Sequence, residues 1–299
     1  MSRRQPSSLV KFTDAAAALR ILSESTLRWS APCLFNDPFE LNHNTSLSFD
    51  SRGLLAACVK YTLGLIFSRD DPKGGSPLVK AIRRWRMEDR FDSEDEAQEV
   101  LTELLNSMVL HREPEMIAIM QEWQQYSSQL RILCLAESHE NVSLWQSNGG
   151  NHSGVAIRFA CGDETSMESP QPMKYTDNKP EITSLAEEME ILMSQSSTKV
   201  QENFSEKYLT KSKLNSVERE WRLLRVDGDA DHESDPDQWF EDINFFRKEV
   251  RSVYFGADIE QKIKHEITSV LRQKYGAVKL YQAAASSNRF ELEFERLNP

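Results

Sequence analysis

No window of this 299-residue chain approaches the roughly 18 uninterrupted apolar residues that a membrane-spanning helix needs, and mean hydropathy is −0.56. A membrane-resident protein is therefore not expected. The start, MSRRQPSSLVKF, lacks both the apolar stretch and the small-residue cleavage site of a signal peptide, which points to a cytoplasmic protein. Cysteine is sparse. Cys33, Cys58, Cys134 and Cys161 form no Cys-x-x-Cys, so neither a disulfide framework nor a zinc ribbon is supported, and buried reduced thiols are the plain reading. Positive charge is in deficit, 36 Lys and Arg against 47 Asp and Glu, a formal charge of −11. That excludes a protein held to nucleic acid mainly by global phosphate neutralisation and leaves room only for a local basic groove.

Several catalytic signatures are also missing. There is no Gly-x-x-x-x-Gly-Lys-Ser/Thr and no Gly-x-Gly-x-x-Gly, so P-loop and Rossmann cofactor sites have no support, and no Gly-x-Ser-x-Gly elbow anchors a serine hydrolase. None of the His-Glu pairs at His139, His232 and His265 has a second histidine at zinc-protease spacing. Asp227-Gly-Asp229-Ala-Asp231 imitates a calcium loop. It fails at His232, where the turn wants glycine, and at Gln238, where a bidentate glutamate belongs, so a solvated acidic loop over Asp227 to Asp242 is expected.

What is present is aromatic bulk: six Trp, seven Tyr and fourteen Phe, enough to offset the ordering entropy of a folded core. Periodicity predicts a short strand at Leu9 to Phe12, a helix capped by Thr13 or Asp14, and a strand at Leu27 to Ser30. Apolar and basic helices follow over Leu54 to Phe67 and Val79 to Arg90. Further helices are predicted over Asp95 to His111 and from Pro114, and a polar helical region over Ile182 to Leu209. Strands are predicted at Arg131 to Ala136, Val155 to Phe159, Glu218 to Val226, Val250 to Phe255 and around Phe290 to Glu295, with a helix over Ile259 to Leu271. Without a regular strand-helix rhythm, this mixture favours α+β over a doubly wound sheet. The expectation is one domain over 1–299 with a helical insertion over 50–130.

Four features carry chemistry. In Phe35-Asn-Asp-Pro-Phe-Glu40 a proline-stiffened turn holds three polar side chains; Asn36 and Asp37 either cap backbone donors or face a ligand. The strand ending Glu137-Ser138 opens onto a helix carrying Trp145, which is either core or an aromatic wall for a ligand. Glu218, Glu220 and Arg222, two apart on a strand, share one face. They form either a cross-strand ion-pair ladder or a carboxylate pair steered by a guanidinium, suited to a cationic sugar-like transition state. Arg83-Arg84-Trp85-Arg86 is a basic patch with an interleaved aromatic, either a solvated or docking face or a surface for RNA or single-stranded DNA.

Lys11-Phe12, Leu27 to Ser30, Phe35 to Glu40, Ser138 to Trp145, Gly154 to Phe159 and Glu218 to Arg222, taken in order, resemble a widespread bacterial family of unknown function. Phe35-Asn-Asp-Pro-Phe-Glu40 is the most specific match, and Lys11-Phe12 stands where that family usually carries tyrosine. The family is distantly similar to ADP-ribosyltransferase-fold toxins, found among phage-defence genes. The resemblance implies small antiparallel or mixed sheets around a cleft for NAD, which serves as substrate. Catalytic roles would fall to Glu220, Glu218 and Ser138, with Lys11, Arg28, Ser30, Asn36, Asp37, Trp145 and Arg222 around NAD. The implied partners are a macromolecular acceptor, with RNA or DNA reaching Arg83, Arg84, Trp85 and Arg86, and a neutralising antitoxin or chaperone; no metal is implied. A non-catalytic interaction module, or a metal-dependent nuclease built on Asp37, Glu40 and Glu218/Glu220, are the competing readings.

Overall fold

A computed structural model describes residues 4–70, 72, 74–194, 203–226 and 239–297. Its elements, in order, are β1 (Ser8–Thr13), α1 (Ala15–Glu24), β2 (Thr26–Ser30), α2 (Ser51–Phe67), α3 (Pro77–Met87), α4 (Glu94–Gln129), β3 (Leu130–Ala136), α5 (Val142–Ser147), β4 (Val155–Ala160), β5 (Gln171–Pro172) and β6 (Lys174–Thr176). There follow α6 (Leu185–Ser194), α7 (Phe204–Lys207), β7 (Thr210–Ser212), β8 (Glu220–Val226), β9 (Phe240–Asn244), β10 (Val250–Phe255), α8 (Gln261–Lys274), β11 (Lys279–Ala285) and β12 (Leu292–Arg296). The class is α+β. No helix among the described residues is long and apolar enough to cross a membrane. The imitation calcium loop and most of the expected acidic loop lie outside the described residues.

The chain forms two compact units. A sheet unit comprises Met1–Leu41, Ser127–Lys179 and Tyr208–Pro299, and a helical unit comprises Asn42–Tyr126 and Pro180–Lys207. The inserted helical segment expected over 50–130 thus corresponds to a unit that also draws in a second, later stretch of chain.

In the sheet unit, ten of the described strands join in one sheet, ordered β12-β11-β10-β4-β1-β3-β2-β9, with β8 on β3 and β5 on β8. This corrects the expectation of small separate sheets, because β3 pairs along both edges. One edge is zipped to β8 from Leu130↔Val226 to Ala136↔Glu220. The other is shared: Ala136 pairs with Val10 of β1, and Ile132 with Ser30 of β2, so the sheet forks there. β6 and β7 make a separate parallel pair.

Alternation assigns the two faces. Leu9, Leu133, Leu135, Ile157, Phe159, Trp221, Leu223, Val253 and Phe255 turn to a core shared with Ala18 and Leu22 of α1 and Ile267 and Leu271 of α8. α1 starts where Asp14 accepts a hydrogen bond from the Ala17 N–H (2.8 Å) and ends at Ser25 in the left-handed region (φ 61°). Strand ends meet too closely for side chains at two points: a Cβ on Gly154 would lie 2.2 Å from the Thr13 carbonyl oxygen, and one on Gly256 2.1 Å from that of His152.

The helical unit packs α2, α3, α4 and α6 around Leu54, Cys58, Ile66, Leu78, Ile82, Leu101, Leu105, Val109, Met116 and Met193. The two helices expected on either side of Pro114 are one, Glu94–Gln129. Proline removes a backbone donor there, yet Val109 and Met116 are seven residues, two turns, apart and enter the same core, so packing carries the helix through. The described residues of the polar region expected over Ile182 to Leu209 hold the helices α6 and α7, and a strand starts at Thr210. Three strands absent from the sequence reading, β5, β9 and β11, complete the large sheet, and the β6–β7 pair was not expected either.

Candidate functional site

At the fork of the sheet lies a cavity of about 630 Å³ within the sheet unit, lined by Val10 to Phe12, Ser30, residues 34–40, Cys134 to Ala136, Lys211, Glu218, Glu220 and Arg222, among others. Antiparallel register places Ala136 opposite Glu220 and Cys134 opposite Arg222, so these four side chains share the face away from the α1/α8 core. The Cys134 carbonyl, between the two pairings that split the sheet, accepts a hydrogen bond from Lys11 Nζ (3.2 Å), which holds that ammonium at the cavity wall.

The floor is a chain of alternating charges. Arg222 donates from Nε to Glu220 Oε1 (2.7 Å) and from Nη1 to Glu40 Oε2 (2.9 Å), and Nη2 completes a two-point grip on Glu40. Nη1 also reaches the Tyr208 carbonyl (2.8 Å), and the Phe35 ring centre lies 5.2 Å from the guanidinium carbon. Lys211 Nζ bridges Glu220 Oε2 (3.2 Å) and Glu218 Oε2 (2.8 Å). Lys211 is placed by the β6–β7 pair, where Tyr175 is its neighbour and the Tyr175 hydroxyl accepts the Glu220 N–H (2.8 Å). Glu40, Arg222, Glu220, Lys211 and Glu218 thus form one network. Arg222 and Glu220 are almost sealed, with 1% and 8% of their side chains exposed.

The two carboxylates of Glu218-x-Glu220 differ in kind. Burial by itself raises the Glu220 pKa, but the charges of Arg222 and then Lys211 outweigh it and hold the group at about 2. Glu220 is a fixed negative charge. For Glu218 burial prevails over the Lys211 hydrogen bond, and the pKa is raised. The same burial pushes the Cys134 thiol up to about 12, a neutral group at the wall. Glu218 is not on the strand as expected. It ends a 3₁₀ turn, Lys213–Glu218, and Arg219 takes a left-handed conformation (φ 47°) before β8 begins, so the register argument does not apply to it, although it still lines the cavity.

The other expected residues are divided. Lys11, Ser30, Asn36, Asp37 and Arg222 line the cavity. Asp37 Oδ1 also accepts the Phe39 N–H (2.9 Å), a local turn bond that fixes the proline corner. Ser138 is not among the lining residues; its Oγ accepts the Glu140 N–H (3.1 Å) in the turn after β3. Trp145 is wholly buried, edge-on to Phe12 (5.2 Å), with its indole N–H on the His139 carbonyl (2.6 Å). Arg28 lies outside the cavity, paired with Asp242 (2.8 Å) across β2 and β9 and stacked on Phe240 (3.6 Å). The residues missed by sequence reasoning are Lys211 and Tyr175, which no motif marks. The clamp on Arg222 by Phe35 and Glu40 was carried by the signature itself, although its partner stands 182 residues away.

The basic patch of α3 is occupied within its own unit. Arg83 donates to the Pro72 carbonyl (2.5 Å), Arg86 to those of Asp70 (2.6 Å) and Ser68 (2.7 Å), and Arg84 pairs with Glu88 (2.8 Å). Trp85 packs against the helical core and Phe91 (5.6 Å). These contacts bind the loop after α2 to α3. A second cavity of about 740 Å³ in this unit, lined by Tyr61, Leu65, Met189 and Met193, carries only Asp70 and Glu190 as charged residues among those described. No group of three or more His, Cys, Asp or Glu among the described residues is arranged to hold a metal ion; Glu40 and Glu220 are both bound by Arg222.

Residues 144–223 resemble DUF2971, a family described as a protein of unknown function. The matched stretch holds Lys211, Glu218, Glu220 and Arg222 but stops short of the Phe35 to Glu40 clamp. No curated protein and no solved structure matches the chain.

Proposed function

We propose that the cavity cleaves the glycosidic bond of NAD and transfers ADP-ribose to a macromolecular acceptor. The observation that carries this reading is the unequal carboxylate pair in one cavity: Glu220 with its pKa held at about 2, Glu218 with a raised pKa. Glycosyl transfer through a cation-like sugar needs both kinds of group. Glu220, fixed by Arg222 and Lys211, stabilises the positive charge that develops as the bond from ribose C1′ to nicotinamide breaks and its electron pair leaves with nicotinamide. The acceptor's nucleophile then forms a bond to C1′, and its proton passes to Glu218. A cavity of about 630 Å³ lies within the range of small-molecule sites, and Lys11 at its wall is a cation suited to a phosphate oxygen. Ser30 and Asn36, rather than Ser138, are the polar groups available to orient the ribose.

Purified chain incubated with labelled NAD and total bacterial RNA, DNA and protein should release nicotinamide and transfer label. Glu218→Gln and Glu220→Gln should each lower the rate by at least tenfold with the fold retained. Absence of nicotinamide release from folded wild-type protein would overturn the reading. One observation favours a non-catalytic alternative on the same scaffold: both Glu220 oxygens are engaged in ion pairs. That alternative predicts that Glu220→Gln alters stability but leaves function in cells intact.

A further inference from the structure

The sheet face that carries the cavity continues across β1, β4 and β10, where Leu144 and Trp145 of α5 pack on Val10, Phe12, Ala156 and Tyr254 and bury them, and it emerges over β11 and β12, where Lys279 and Arg296 are exposed and Tyr281 and Phe294 partly so. Cross-strand pairs put Val10 beside Arg158, Arg158 beside Ser252 and Ser252 beside Lys279 in one row. In the next, Ala156 lies beside Tyr254, Tyr254 beside Tyr281 and Tyr281 beside Arg296. Paired residues share a face, so three cations and two tyrosines stand together, joined by Phe294 of β12. The acids of β12, Glu293 and Glu295, alternate to the opposite side. None of the described residues in these rows is acidic, in a chain of formal charge −11.

Arg158 is half-buried, and among the described residues no carboxylate lies within ion-pair distance of it. It is held by neutral partners: Nε to the Tyr254 hydroxyl (3.4 Å), Nη1 to Ser8 Oγ (3.2 Å) and Nη2 to His139 Nδ1 (2.9 Å). Three of the five guanidinium N–H groups suffice for these bonds, which leaves donors and an uncompensated charge. Lys279 and Arg296 are exposed. Tyr254 is buried in an aromatic stack, 3.9 Å from His139 and 4.9 Å from Tyr281, with Phe294 edge-on at 5.6 Å, while Tyr281, Phe294 and His139 remain partly exposed around it.

From this segregation of cations and rings we infer that the accessible part of this face, over β11 and β12, binds single-stranded nucleic acid. Cations answer phosphodiesters, and the partly exposed rings of Tyr281 and Phe294 offer a stacking platform for unpaired bases. Ring faces stack on unpaired bases, which a duplex keeps stacked on one another, so single strands are the chemistry that fits. This surface replaces α3, whose arginines hold their own loop, as the nucleic-acid-facing region, and it does not depend on the NAD reading.

The test is fluorescence anisotropy of the full chain with labelled oligo-dT and oligo-U of about 15 nucleotides, at about 50 and 200 mM salt. Binding is expected to weaken with salt. Lys279→Glu with Arg296→Glu, both at exposed positions, should lower affinity at least tenfold and reduce the salt slope by about two. Tyr281→Leu, which keeps apolar bulk but removes the ring, should cost about tenfold. Arg84→Glu on α3 should change nothing. The inference is overturned by absence of binding, by equal affinity for duplex, by equal competition from polyglutamate, or by affinity indifferent to the Lys279, Arg296 and Tyr281 variants.

Discussion

α3 and the cavity floor are built from similar materials, arginine, glutamate and a large aromatic ring, and they differ in what the arginines face. In α3, Arg83 and Arg86 donate to loop carbonyls and Arg84 to an exposed glutamate, so the charge ends at the surface with local bonds. At the cavity floor Arg222 faces two carboxylates drawn from distant parts of the chain and is itself 1% exposed. A sealed guanidinium between fixed anions sets the ionisation of its neighbours, whereas Arg86, bonded to the carbonyls of Ser68 and Asp70, fixes a loop conformation. The lesson is that an arginine-rich motif is defined by its acceptors, which sequence spacing does not supply.

The contrast can be broken most severely at Arg222. Arg222→Met leaves Glu40 buried without its cation and Glu220 with Lys211 alone, and should cost about 3–5 kcal/mol, measured by urea unfolding. Next is the pH dependence of Glu220, whose folded pKa of about 2 lies below its ordinary 4.5. A depressed carboxylate contributes stability fully above the unfolded value and loses it as pH falls from about 4.5 through about 2, an effect of about 3 kcal/mol. Glu220→Gln should therefore flatten the acid limb of the stability curve. Glu218, with its raised pKa, acts in the opposite sense: it favours the fold in acid and gives up that contribution as pH rises through its folded value. Glu218→Gln should accordingly steepen the loss of stability on acidification relative to wild type.

Smaller effects belong to α3. Arg86→Ala removes two bonds to carbonyls and should cost about 1–2 kcal/mol while loosening the loop at Ser68 to Asp70, detectable as faster amide exchange there. Arg84→Ala, at an exposed i,i+4 pair, should leave the unfolding midpoint unchanged. A large effect at Arg84 and none at Arg222 would reverse the comparison.

Strands with strong alternation or apolar character, β3, β4, β8 and β10, are legible from sequence because each buries at least one face in the core. β9, Phe240-Glu-Asp-Ile-Asn, is hidden by its acids; it is an edge strand whose partner among the described strands is β2. β11, ending Ala-Ala-Ala, has little strand propensity and becomes a strand because β10 and β12 pair with it on either side. Phe290 falls outside the terminal strand that it was expected to begin and is fully exposed.

Local chemistry was enough to determine the α+β class, a helix cap at Thr13 or Asp14, the stiff corner from Phe35 to Glu40 and the co-occurrence of Glu218, Glu220 and Arg222, since each depends on neighbours within a few residues. Only the tertiary structure decided that Glu40 meets Arg222, that Lys211 joins both glutamates, that Ser138 and Trp145 turn away from the cavity, and that Arg158, Lys279 and Arg296 gather on one face. These facts depend on strand register between segments far apart in the chain, and register is fixed by which faces the whole sheet can bury, a property no short window of sequence contains.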